Sequence, residues 1–109
     1  MNFYRKELNM KKIVLFCANG FTTAMMAKKL KEAIEKQGLD YDSNAYPYAE
    51  IDERGPEADI ILLGPQVRYN LKHVQKKFPN TPAIVLDMQT YAVMDGEKIF
   101  KQVRELLEK

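Results

Sequence analysis

The sequence predicts a three-layer α/β fold around four parallel strands, and three observations lead there. Continuous apolar runs at Ile13 to Phe16, Ile60 to Leu63 and Ala83 to Leu86 suit strands buried on both faces. Helically spaced apolar residues separate and follow these runs. The resulting alternation, βαβαβαβα, becomes a buried parallel sheet through right-handed crossovers, with the expected strand order 2-1-3-4.

The first strand begins after Met10, so residues 1–9 are expected to be a disordered N-terminal extension, with an ordered arm as the alternative. Residues 10–109 are then the domain. A helix from about Thr22 to Gln37 presents Ala27, Leu30 and Ile34 on one face and stops at Gly38. Asp40 to Ala45 alternates Tyr41, Ser43 and Ala45 with Asp42 and Asn44, the pattern of a less buried strand near an edge. Tyr48 to Pro56 has little periodicity and reads as a short helix ended by Gly55-Pro56. Val67, Leu71, Val74 and Phe78 follow helical spacing up to Pro79, as do Ile99, Val103, Leu106 and Leu107 in the last segment.

A length of 109 residues with 46% hydrophobic content allows one domain with one modest core. Lys and Arg total 17 against 15 Asp and Glu, and the formal charge of +2 gives no broad field for a phosphate backbone, which argues against a nucleic-acid partner. Cys17 is the single cysteine, so no intramolecular disulfide is possible and a reducing compartment is expected. Neither a secretory leader nor a membrane-length apolar run is present, so the chain is expected in the cytoplasm, without direct membrane insertion.

The chemistry concentrates in Phe16-Cys17-Ala18-Asn19-Gly20-Phe21-Thr22-Thr23-Ala24, where the first strand runs into the first helix. Open α/β sheets bind ligands at that edge. Backbone N–H groups and the positive end of the helix dipole converge there, and Gly20 lets the chain turn around an anion. Ala18 to Thr23 therefore form a candidate phosphate cradle. A thiolate at its mouth is stabilised by the same donors, which makes Cys17 a candidate nucleophile; the loop amides, with Thr22 or Thr23, would hold a phosphoryl group on its sulfur. A lone Cys is ordinarily a small buried hydrophobe, and a lone Thr an ordinary cap. The combination at one strand end favours chemistry over packing.

Two known phosphate loops do not fit. No Gly-Lys-Ser/Thr follows a glycine-rich stretch, and the sixth position after Cys17, which carries Arg in cysteine phosphatases, is Thr23. Without that guanidinium the loop can hold a phosphoryl group but hydrolyses it slowly. No obvious general acid or water activator accompanies it. The only histidine, His73, lies off the apolar stripe among Lys72, Lys76 and Lys77 and reads as solvated, while at least one of Met25 and Met26 is expected in the core. No metal or cofactor is implied.

These residues resemble the IIB subunits of the lactose, cellobiose and chitobiose branch of the phosphotransferase system (PTS) for sugar uptake. Leu15-Phe16-Cys17-Ala18 with Gly20 and Thr22-Thr23, Ile61-Leu62-Leu63-Gly64-Pro65-Gln66-Val67, and Tyr69 carry the likeness, which spans residues 10–109. Ala24 departs from it where Ser is frequent, and Arg68 where a small residue is usual. The resemblance implies a fold similar to low-molecular-weight tyrosine phosphatases, and Gly64, Pro65 and Gln66 flanking the phosphate loop. It further implies an enzyme working at the inner face of the membrane: a phosphohistidine on a IIA protein donates to Cys17, which phosphorylates a sugar held by the membrane permease IIC. Cellobiose, chitobiose, lactose or a related β-glucoside is the implied class of sugar. The alternative is a cysteine phosphatase or arsenate-reductase-like enzyme using Cys17, and a weaker one is a noncatalytic binding domain.

Overall fold

The structure, a computed structural model, describes residues 10–18 and 20–108, and for residues 20–23 the backbone alone. The expected extension, residues 1–9, lies outside the described residues. Four strands form one parallel sheet: β1 (Lys11–Cys17), β2 (Tyr41–Pro47), β3 (Ile60–Leu63) and β4 (Ala83–Val85). Their order is β2-β1-β3-β4, the order expected from the sequence.

Helices α1 (Gly20–Gln37), α2 (Ile51–Arg54), α3 (Leu71–Lys77), α4 (Met88–Ala92) and α5 (Gly96–Leu107) divide between the two faces of the sheet. Side chains alternate across a strand. Ile13 and Leu15 of β1 therefore join Ile60, Leu62, Leu30, Ile34, Ile99 and Phe100 in one core, under α1 and α5. Val14 and Phe16 join Ile61, Leu63, Ile51 and Val74 in the other, under α2 and α3. Both central strands are buried throughout from Ile13 and Ile60 onward, which is why they read as unbroken apolar runs.

β2 is an edge strand and only partly buried, as its alternation predicts. Its one fully buried residue is Ser43, whose hydroxyl donates to the Ala27 carbonyl at 2.8 Å and ties the edge to α1. Gly38 ends α1 with φ at 65°, a left-handed conformation that glycine adopts without a Cβ penalty.

Three expectations need correction. The segment from Val67 is not one helix: Pro65–Asn70 forms a 3₁₀ turn, Val67 has φ −116° and ψ 22°, and α3 begins at Leu71. Val67 and Val74 are nevertheless buried on one core, with Leu71 and Phe78 packed against it, so the stripe is real although the helix is shorter. Gly55-Pro56 does not end the short helix but continues it as a 3₁₀ turn, Gly55–Glu57, after α2. Finally, α4 breaks the simple alternation. Asp87 caps it, its carboxylate accepting from Thr90 N at 3.0 Å.

A polar clasp closes the end of the sheet where the strands start. Tyr41 donates its hydroxyl to Glu108 Oε2 at 2.6 Å, and Arg104 donates to both Glu108 oxygens at 3.0 Å and to Gln37 Oε1 at 3.0 Å. The last turn of α5 is thereby fastened to β2 and to the end of α1.

Candidate functional site

Cys17 is the last residue of β1, paired in register with Pro47 of β2, while Phe16 pairs with Leu63 of β3. From β1 the chain crosses to β2 on one side; from β2 it crosses back over β1 to β3 on the other. The strand order reverses between β1 and β3. Their C-terminal ends are therefore where an open α/β sheet offers a crevice to a ligand, and they carry Cys17 and Gly64.

Those two residues are in tight apposition. Gly64 N donates to the Phe16 carbonyl at 2.8 Å, extending the β1/β3 ladder to the rim of the crevice. A methyl group on Gly64 would stand 3.1 Å from Cys17 Cβ, 2.9 Å from Gln66 Oε1 and 3.6 Å from Tyr91 Cε1. Glycine is what allows the β3 end to lie this close to Cys17. Pro65 is buried behind it and Gln66 is exposed. The structure thus brings Gly64 and Cys17 together.

Cys17 itself is covered, with 2% of its surface exposed, and Ala18 beside it is exposed. By parity Cys17 shares the face of Ile13 and Leu15, the one carrying α1. The backbone turns into α1 at Gly20, three residues after the thiol, so the first turn of an 18-residue helix starts beside the end of β1. Asn19 and the side chains of Gly20, Phe21, Thr22 and Thr23 lie outside the described residues. Met26 is fully buried and Met25 is 44% exposed, so the methionine pair divides between core and surface.

Two residues at this edge have no place in the reading from sequence. Tyr91 is 5% exposed and sits against Gly64, on the core that also holds Leu15. Asp87, just after β4, is the carboxylate that follows the fourth strand. The hydrogen bond from Thr90 N holds its pKa below the ordinary carboxylate range, so it is ionised and occupied as a helix cap rather than available as a proton donor. Asp87 is a favoured N-cap residue type and could have marked the start of α4. A five-residue helix has too few turns to show an apolar stripe, and so the burial of Tyr91 leaves no periodic trace.

Arg68 donates to the Pro65 carbonyl at 3.0 Å and to the Tyr69 hydroxyl at 2.7 Å, with its guanidinium 4.5 Å from the Tyr69 ring centre. Ala24 is exposed on α1, and His73 is exposed on α3. Among the described residues no helix is long and apolar enough to cross a membrane.

The family described as "PTS system, Lactose/Cellobiose specific IIB subunit" matches residues 12–102. The chain is 35% identical over 104 residues to the PTS system galactose-specific EIIB component of Lactococcus lactis subsp. cremoris, covering 89% of this chain and 96% of that protein. It matches the cellobiose-specific EIIB component of Lactococcus lactis subsp. lactis with the same identity and coverage. Against the oligo-beta-mannoside-specific EIIB component of Bacillus subtilis the identity is 32% over 100 residues, covering 90% and 97%. Among solved structures, the lactose-specific IIB domain of Streptococcus pneumoniae aligns with TM-score 0.79 at 22% identity, covering 89% of this chain and 97% of that one. The cellobiose-specific IIB protein of Borrelia burgdorferi aligns with TM-score 0.75 at 22% identity, covering 92% and 94%. At that identity the two structures speak for the fold.

Proposed function

We propose a mechanism from one premise: the chain belongs to the lactose/cellobiose-specific IIB subunits of the PTS, and is a sugar-specific component of that system. In this reading Cys17 is the phosphoryl carrier. Its thiolate attacks the phosphorus of a IIA phosphohistidine; the N–P bond breaks, the S–P bond forms, and the histidine leaves with the electron pair. A sugar hydroxyl held by the membrane permease IIC then attacks the same phosphorus and gives up its proton to solvent, the S–P bond breaks, and the thiolate returns. The backbone amides from Ala18 to Thr23, with the hydroxyls of Thr22 or Thr23, bind the phosphoryl oxygens in both steps. The sugar is a β-glucoside such as cellobiose, or chitobiose or lactose, and the protein works in the cytoplasm, at the permease.

The observation that carries this reading is the placement of Cys17 at the switch point, against Gly64 and beside the start of α1. Carriage rather than hydrolysis is favoured by what surrounds it. Thr23 stands where a phosphatase has its arginine, Arg68 is engaged with Pro65 and Tyr69, and Asp87 is an ionised cap. We assign the working unit to residues 10–109, since β1 starts at Lys11 and the family match at residue 12.

The test is the fate of the phosphoprotein. After loading from phosphorylated IIA, the isolated protein should keep its phosphate in buffer and discharge it when membranes holding the permease and its sugar are added; Cys17→Ser should accept none. Rapid loss in buffer, unchanged by permease and sugar, would replace the carrier with the phosphatase alternative.

A further inference from the structure

The outward face of α3 differs in charge from every other long helical surface of the molecule. On α1 the lysines are interleaved with Glu32 and Glu35, and on α5 Lys98, Lys101 and Arg104 alternate with Glu97 and Glu105. Between Pro65 and Pro79 there are four basic residues, Arg68, Lys72, Lys76 and Lys77, and no acidic one. Helical geometry sorts them. Leu71, Val74 and Phe78 face the core, which places Lys72, His73 and Lys76 on the opposite side of α3, and Tyr69 stands in the 3₁₀ turn just before it. All four are exposed, Tyr69 by 81%. Arg68 adds its charge to this face because its guanidinium lies over the Tyr69 ring and bonds the phenol. Lys77 pairs with Asp52 of α2, which leaves three cations in the row.

We propose that this face of α3 docks on the anionic headgroups of a lipid bilayer. The chemistry fits a bilayer better than a folded acidic partner. Lys72 and Lys76 are point charges on flexible stems, set four residues apart on an exposed helix face, and the row ends at an exposed aromatic that suits the headgroup level. Three cations give weak, reversible attachment, which a carrier shuttling between a soluble donor and a permease requires. The row also starts at the reactive edge, since Arg68 is hydrogen-bonded to Pro65, the residue after Gly64. A protein held by α3 therefore has its β1/β3 crevice beside the membrane surface. The advantage of this placement rests on the carrier reading; the binding itself does not.

The experiment is co-sedimentation of the full chain with phosphatidylcholine vesicles, with and without about one third phosphatidylglycerol, at low and at high salt. Binding is expected only to the anionic vesicles at low salt. Lys72→Gln/Lys76→Gln should weaken it about thirtyfold, while Lys28→Gln/Lys29→Gln on α1 should change it no more than about twofold. Exposed Lys to Gln changes leave the fold intact, which circular dichroism checks. No binding to anionic vesicles, equal losses in the two double variants, or binding to polyglutamate but not to vesicles would overturn the proposal. Phosphoryl acceptance by Cys17 in solution, measured on the same samples, separates the two readings. Acceptance without vesicle binding refutes the docking face and leaves the carrier; vesicle binding without acceptance refutes the carrier and leaves the face.

Discussion

Replacing Gly64 by Ala should slow phosphoryl transfer about tenfold while the protein stays folded. The backbone raises no objection, since φ −65° and ψ 157° are extended values open to any residue. The cost is steric and directed. The new methyl would lie 2.9 Å from Gln66 Oε1, the far end of an exposed side chain that can rotate away, and 3.6 Å from Tyr91 Cε1, an ordinary contact. Its 3.1 Å approach to Cys17 Cβ is the one that must be relieved. Carbon atoms settle about 3.5–4.0 Å apart, so the Cys17 side chain or the end of β3 shifts by roughly half an ångström. Overpacking of this size costs about 1 kcal/mol, a fall in Tm of a few degrees. If a misplacement of about 1 Å costs on the order of a hundredfold in rate, half of it predicts a loss near tenfold. Single-turnover transfer from phosphorylated IIA to Cys17, at a temperature where the variant is fully folded, measures this. A rate within about twofold of wild type would mean that the Gly64 contact does not position the nucleophile.

Gly96→Ala should show the opposite balance. Its added Cβ would run into the Lys29 carbonyl and Leu30 N of the α1 backbone, which cannot rotate aside, so we expect a loss of about 3 kcal/mol with transfer by the folded fraction unchanged; thermal melts and single-turnover rates check both. Ser43→Ala removes the buried hydroxyl that donates to the Ala27 carbonyl and should cost about 1 kcal/mol by urea titration. The clasp predicts a pH dependence at the alkaline end. Burial, then the hydrogen bond to Glu108 and its charge, push the Tyr41 phenol from 10.0 up to about 12. The folded state therefore holds the proton longer than the unfolded chain, and the stability so gained is complete below about pH 10 and lost as pH rises to about 12. The difference in Tm between wild type and Tyr41→Phe should shrink across that window; a constant difference would argue against the bond to Glu108.

How legible the molecule was depended on how each residue meets its neighbours. β1 and β3 were readable because helices cover both faces, so every position from Ile13 and from Ile60 onward is apolar, and β2 was readable as an edge because only Ser43 is fully buried. The α3 stripe was readable in its spacing but not in its start. Helical spacing does not distinguish a 3₁₀ turn from an α-helix over one turn, and Pro65 opens the segment as the former. At the site, the strand end and Cys17 were visible as local chemistry, while the glycine after β3 was marked only by the family resemblance. The closeness of Gly64 to Cys17 follows from strand register, and Tyr91 enters only through the docking of α4, so neither contact has a local signature.

The clasp has a consequence for how the domain can be joined to other things. Lys11, where β1 begins, is paired in register with Tyr41, whose hydroxyl holds Glu108 near the end of the chain. Both ends of the domain therefore emerge from one pole, and Cys17 lies six residues along β1, about 20 Å away at the other. A tether, affinity handle or further domain led off from Glu108 leaves the domain at the pole opposite the crevice. Fluorescent or surface-immobilised versions labelled beyond Glu108 should consequently leave the Cys17 end of the sheet unobstructed.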